Sequence, residues 1–178
     1  MIAVLDANVL FPTVLREILS DVAAAGLFRP VWSERILGEG TRAAAKLGPR
    51  DAEIAGAEAA LLRLRFPEAV TPGDEARAKG FDLPDPADLH VLAAALETGA
   101  GVIVTMNLRD FPPRALPAGI RALHPDAFLT DLWAHHPDPV AAAARAAHDK
   151  ANDLGTAIAL RALMKRARLP RLGRALTR

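Results

Sequence analysis

Eight oxygen-bearing side chains stand where a fold could gather them. Asp6 and Asn8 follow the apolar run MIAVL, Glu39 lies within SERILGEGTR, Asp85 and Asp88 open DPADLHVLAAALETG, and Thr105, Asn107 and Asp110 follow GVIV. Two carboxylates about 4 Å apart repel by roughly 4 kcal/mol at an effective dielectric of about 20. A fold that brought Asp6, Glu39, Asp88 and Asp110 together would therefore need a bound cation or protonation. The chain has no cysteine, so disulfides and thiolate metal sites are excluded and any metal must take oxygen or imidazole ligands. An all-oxygen set favours Mg²⁺ or Mn²⁺ over Zn²⁺.

The elements that must position these groups read as alternating strands and helices. IAVLD is a buried strand, and Asn8 starts a helix through Leu15, Ile18, Leu19 and Val22, with Pro12 in its first turn and Gly26 at its end. A short strand over 29–32 precedes a helix capped by Ser33 and stopped by Gly48-Pro49. A further helix spans about 51–64, and 71–84 reads as a loop with one helical turn. In DPADLHVLAAALETG, Asp85 is the cap, Pro86 the first helical residue, and Gly99 the stop. GVIVT is too short and β-branched for a helix, and 120–123 reads as a last strand. HPDAFLTDLW and two further helices over 139–178 complete the chain. The fold class expected is α/β, a mostly parallel sheet flanked by helices. In such sheets ligands gather at the carboxyl ends of strands, where both oxygen-rich clusters fall.

Composition sets the remaining bounds. The 178 residues are 51% apolar, enough for a sizeable core. No apolar stretch approaches the length of a membrane span, and the N-terminus lacks a basic segment leading into a signal-type apolar run, so a soluble, cytoplasmic protein is expected. The net charge of +1 hides an asymmetry: residues 1–153 carry all 21 acidic residues against 15 basic ones, whereas 154–178 carry Arg161, Lys165, Arg166, Arg168, Arg171, Arg174 and Arg178 and no acid. This suggests an anionic partner or a tail folded back on the body, with a solvated helix face as the plain alternative. Each acidic candidate has a structural alternative too. Asp6 and Asn8 could cap the first helix, Asp85 and Asp88 could serve only the helix start, Glu34 and Glu39 could be solvated, and His90 reads as a packing residue.

Taken in order, LDANVL, SERILGEGTR and DLPDPADLHVLAAALETGAGVIVTMNLRDFP resemble the PIN domain, a metal-dependent ribonuclease fold, over about residues 1–130. HPDAFLTDLW and the later Leu-Pro-Arg-Leu resemble the C-terminal extension of one subgroup of VapC-type toxins, giving an expected PIN nuclease domain over 1–130 and a helical extension over 131–178. The resemblance implies hydrolysis of RNA phosphodiesters with Mg²⁺, or Mn²⁺, as cofactor. Asp6 matches the first metal-binding acid, Asn8 its polar companion, Glu39 the second acid in preference to Glu34, and Asp88 the third, with Asp85 as an assisting neighbour. Many PIN domains have Asp where this chain has Asn107, so Asn107 through its amide oxygen or Asp110 would fill the fourth position. Thr105 would position a ligand or the phosphate, and Arg109, Arg114 and the basic tail would hold the RNA backbone. The resemblance also implies a small cognate antitoxin and homodimerisation.

Three other readings are weaker. A non-catalytic or RNA-processing PIN-fold binding module is the chief alternative, but a metal-free module would lose the acids. A response-receiver domain would need a Lys ending the strand that IRALHP lacks. A Mg²⁺-dependent phosphatase typically has two close acids after the first strand, where this chain has Asp6-Ala7-Asn8.

Overall fold

The computed structural model describes residues 1–155 and 157–177; Arg178, counted in the basic tail, lies outside the described residues. In chain order the elements begin β1 (Ile2–Leu5), α1 (Ala7–Leu10), α2 (Thr13–Ala24), β2 (Arg29–Ser33), α3 (Glu34–Ala45), α4 (Pro49–Arg65) and β3 (Val70–Thr71). They continue with α5 (Leu89–Thr98), β4 (Val102–Val104), β5 (Arg121–Leu123), α6 (Pro125–His135), α7 (Pro137–Asp153), α8 (Leu160–Arg166) and α9 (Pro170–Ala175). The chain forms two compact units, one of Met1–Phe11 with Arg29–Leu123, the other of Pro12–Phe28 with His124–Arg178.

The first unit holds a five-stranded sheet in the order β3-β2-β1-β4-β5, parallel throughout. β1 is central because its residues are apolar on both faces: Ala3, Val4 and Leu5 are buried. Its neighbours are set in register, Val4 opposite Val31 of β2 and Ile103 of β4. The chain runs outward through β2 and β3, then returns to β4 and β5 on the other side of β1. The order reverses between β1 and β4, the position at which open parallel sheets bind ligands. α5 runs from this region with His90 through Ala95 all buried, and Gly99 ends it in the left-handed conformation. Ser33 caps α3 as expected, its hydroxyl accepting the Ile36 N–H at 3.2 Å.

Two details of this region differ from expectation. The helix expected from Asn8 is divided, because Pro12 has no N–H to continue the ladder; it adopts an extended ψ of 121° and α2 restarts at Thr13. The expected loop over 71–84 begins with a strand, Val70–Thr71, paired with Trp32 and Ser33. Its end is pinned by Glu97 of α5, which accepts the Thr71 hydroxyl at 2.6 Å and the Gly73 N–H at 2.9 Å. Gly73 has φ 67°, and a Cβ there would meet the Ser33 Cβ at 2.8 Å, so no other residue fits this close passage.

The second unit is helical. α2 buries Leu15, Ile18, Leu19 and Val22, one helical stripe, and packs on α7, which contributes Val140, Ala144 and Ala147. Phe28 stands edge-on to Phe128 of α6 at 5.1 Å. The residues from 137 onward form three helices where two were expected. α7 is followed by α8 and α9, separated at Arg168, whose φ of 61° cannot continue a helix. No helix among the described residues is long and apolar enough to cross a membrane.

Candidate active site

Asp6 is the residue at which β1 ends, and its own N–H donates to the Val104 carbonyl at 3.1 Å, which brings the ends of β1 and β4 side by side. Its carboxylate is held on both oxygens. Oδ1 accepts the Ala7 N–H at 2.7 Å, capping α1, while Oδ2 accepts the Asn8 amide at 2.6 Å and the Thr105 hydroxyl at 2.7 Å. The Thr105 hydroxyl, fully buried, accepts in turn from the Asn8 amide and the Asn107 N–H, both at 3.0 Å. Asn8 Oδ1 accepts the Met106 N–H at 2.9 Å, which fixes which end of the amide faces Asp6. Asp6 thus caps α1 with one oxygen while its other oxygen faces Asn8 and Thr105 at the strand ends. Thr105 and Asn8 form a clamp that orients the Asp6 carboxylate, with the Thr105 hydroxyl directed at Asp6.

The other carboxylates reach the same edge from three helical segments. Asp88 ends the one-turn 3-10 segment Pro86–Asp88 that leads into α5, and Asp85 caps that turn by accepting the Ala87 N–H at 2.9 Å. Asp110 ends the 3-10 turn Leu108–Asp110, where the Asn107 amide donates to it. That bond leaves the amide oxygen of Asn107 as its remaining donor atom for a cation. Glu39 lies midway along α3. Burial pushes the Asp88 carboxyl up from 3.8 to about 7, helped by the charges of Asp6, Asp110 and Asp85 and by a hydrogen bond with Asp110. Asp6 is also raised, mainly by burial and further by Glu39, against the bonds from Thr105 and Ala7. Glu39 is raised by burial against the pull of Arg35.

Two residues given no site role by the sequence, Arg35 and His90, stand beside Glu39. Arg35 pairs with Glu75, donates to the Ala87 carbonyl at 3.0 Å and lies 3.5 Å from the Glu39 carboxylate, so it ties α3 to the turn carrying Asp88. His90 is buried as expected of a packing residue, but its Nε2 is 2.9 Å from Glu39 Oε1 and neither ring nitrogen has a properly directed hydrogen bond. Burial lowers its pKa to about 4, so it is neutral at pH 7. The i,i+4 spacing of Arg35 and Glu39 was the one signal for the first; an apolar context concealed the second.

Not every candidate joins the cluster. Glu34 turns to α4 and pairs with Arg63 at 2.5 Å, which lowers its pKa. Asp85 acts on Asp88 by its charge while its side chain serves as a cap. Arg109 and Arg114 are exposed on their 3-10 turns. Among the described residues, no three His, Asp or Glu side chains stand in a ready coordination shell. The chemistry of the donors nevertheless fits a hard divalent cation: they are oxygen atoms at one sheet edge, and Asp6 and Asp88 are raised by burial first and then by neighbouring carboxylates.

A PIN-domain family model matches residues 3–109, a span that includes Asp6, Asn8, Glu39, Asp88, Thr105 and Asn107 and stops one residue short of Asp110. A segment of 45 residues is 62% identical to a Mycobacterium tuberculosis protein named "Putative ribonuclease VapC50". That segment is 25% of this chain and 27% of the relative, so the chain spans about a quarter of the relative's length. No solved structure matches. With the family model covering more than half of its residues, and a parallel sheet whose switch point carries the acids, the chain belongs to the PIN-domain family.

Proposed function

We propose that the protein is a metal-dependent ribonuclease that hydrolyses RNA phosphodiesters, the toxin of a VapC-type toxin-antitoxin pair. The observation that carries this reading is the convergence of Asp6, Asp88 and Asp110, with Glu39 beside them, at the carboxyl ends of adjacent parallel strands. Asp6, Asp88, Asp110 and the Asn107 amide oxygen would hold Mg²⁺ or Mn²⁺, and Glu39 would do so directly or through water. When bound, the cation supplies acidification of water and neutralisation of charge building on the phosphodiester.

The chain's own residues do the rest. The Asn8 and Thr105 clamp keeps the Asp6 carboxylate in one orientation, so no ordering is needed when substrate arrives. Asp88, partly protonated near neutrality, releases its proton when the surrounding negative charge is offset. Arg109 and Arg114 contact the RNA backbone without reading sequence. Residues 1–130 carry the nuclease chemistry and 131–178 the extension. The acidic edge is suited to block by an antitoxin that inserts Arg or Lys, and a homodimer and a cytoplasmic location accompany this reading.

The test is cleavage of total cellular RNA by purified protein with Mg²⁺, with Mn²⁺ and with EDTA, beside Asp88→Ala. Discrete metal-dependent fragments that the variant does not produce support the assignment. Absence of cleavage in every condition by a folded protein refutes it and favours a non-catalytic module.

A further inference from the structure

α8 and α9 form a hairpin whose outer surface is cationic. Arg161, Lys165, Arg166, Arg168, Arg171 and Arg174 are all exposed, and no acidic residue occurs from 154 onward. Among the described residues none of these six takes part in an ion pair. By contrast, Arg35, Arg63 and Arg77 of the first unit are paired with Glu75, Glu34 and Glu97, and Lys150 of the second with Glu17. A face that is merely solvated usually mixes both signs of charge.

The hairpin is also held firmly on its other side. Leu163, Met164, Leu169 and Leu172 are buried. A Cβ at Gly173 would meet the Met164 Cβ at 2.8 Å, so α8 and α9 cross as closely as backbone allows. The buried carboxylate of Asp126, on α6, accepts the Arg171 N–H at 3.0 and 3.1 Å and the Leu172 N–H at 3.0 Å, capping α9. The turn closes through the Leu169 N–H on the Met164 carbonyl at 2.7 Å. Its left-handed position is Arg168, the one non-glycine with positive φ among the described residues. A bulky side chain there costs roughly 1 kcal/mol relative to glycine.

We propose that the exposed face of the α8–α9 hairpin binds the phosphate backbone of single-stranded RNA, through Arg161, Lys165, Arg166, Arg168, Arg171 and Arg174 and without sequence preference. The choice of RNA as the polyanion rests on the ribonuclease reading. The carboxylate cluster of the first unit repels a polyanion until a cation is present, so RNA must be held by side chains outside the cluster; Arg109 and Arg114 are two such cations, and this surface adds six more. Carried on the same chain, it raises the effective concentration of RNA at the cluster.

The test uses the full chain in EDTA, where cleavage is suppressed, with fluorescein-labelled oligouridylate of about 30 nucleotides read by anisotropy. Affinity is followed between about 50 and 200 mM KCl. The quadruple variant Arg161→Gln, Lys165→Gln, Arg171→Gln, Arg174→Gln should lower the slope of log affinity against log salt by about 2 to 3 and weaken binding at least roughly tenfold. The exposed pair Lys46→Gln, Arg50→Gln should change neither. Arg168→Gly is a second variant that the left-handed turn accommodates: it should leave Tm within a few degrees of wild type while lowering the slope by about 0.7. Wild-type slope and affinity in the quadruple variant, with wild-type cleavage in Mn²⁺, would overturn this inference and leave the nuclease standing, with the hairpin facing an acidic protein instead. Lost binding in the variant from a protein that never cleaves RNA would uphold the surface and remove the nuclease.

Discussion

Replacing Asp88 with Asn removes one charge from a crowded set while keeping shape and a donor toward Asp110. In the folded protein the Asp88 carboxyl titrates near 7 rather than 3.8. Its folded-state pKa is raised, so its stabilising contribution is complete below about 3.8 and is lost as pH rises through about 7. At 1.36 kcal/mol per tenfold change in proton affinity the whole loss is at most about 4 kcal/mol, and screening of a carboxylate still partly open to water reduces it to about 2 kcal/mol. About two thirds of that falls between pH 5 and pH 8, on the order of 1.3 kcal/mol. For a chain of this size Tm should therefore move by about 3–5 °C. His90 acts in the opposite sense: its folded pKa is lowered from 6.5 to about 4, so its contribution is present above 6.5 and lost as pH falls. Asp88 is not among the charges acting on His90, so the histidine cancels when variant and wild type are compared. Thermal melts of both proteins in EDTA should show Asp88→Asn gaining on wild type by that amount from pH 5 to pH 8. A pH-independent difference, or a variant less stable than wild type at pH 8, would refute the crowding of these carboxylates.

Asp6→Asn should behave differently, because both Asp6 oxygens already accept hydrogen bonds and an NH₂ group would face a donor on either side; cleavage should be lost and stability should fall by about 1–3 kcal/mol in denaturant melts. Glu39→Gln should reduce cleavage at least tenfold, whereas Glu34→Gln should leave the rate unchanged and cost under about 1 kcal/mol, since it breaks only a surface pair with Arg63. Asp126→Ala should lower stability by about 2 kcal/mol through loss of the α9 cap, read as a Tm decrease of about 4–8 °C, with Asp126→Asn recovering part of it.

The strands that frame the site were legible because each is an apolar run bounded by a cap or a glycine, as in IAVLD before Asn8 and GVIVT after Gly99. Ser33, Asp85 and Gly99 act in the caps and stops that their types indicate. β3 was not legible: two residues carry no periodicity, and its place depends on Glu97, distant in sequence. Local rules failed in a similar way at Pro12, where the number of residues before the proline decides between a first turn and a break. The division between α8 and α9 depends on Arg168 in a conformation normally left to glycine, which no residue type announces. At the site the oxygen-bearing residues could be identified, but not the distribution of their bonds. Asp6 and Thr105 meet across the sheet, and Arg35 reaches Glu75 and Ala87 from a helix otherwise read as solvated.

The most direct test of the central claim, that these carboxylates form a divalent-cation site, is calorimetric titration of Mn²⁺ into the protein at pH 7 in two buffers of different ionisation enthalpy. Binding should release about half a proton or more per site, chiefly from Asp88, and both the binding and the release should be lost in Asp88→Asn. No heat of binding, or binding that proceeds without proton release and survives in the variant, would contradict the account.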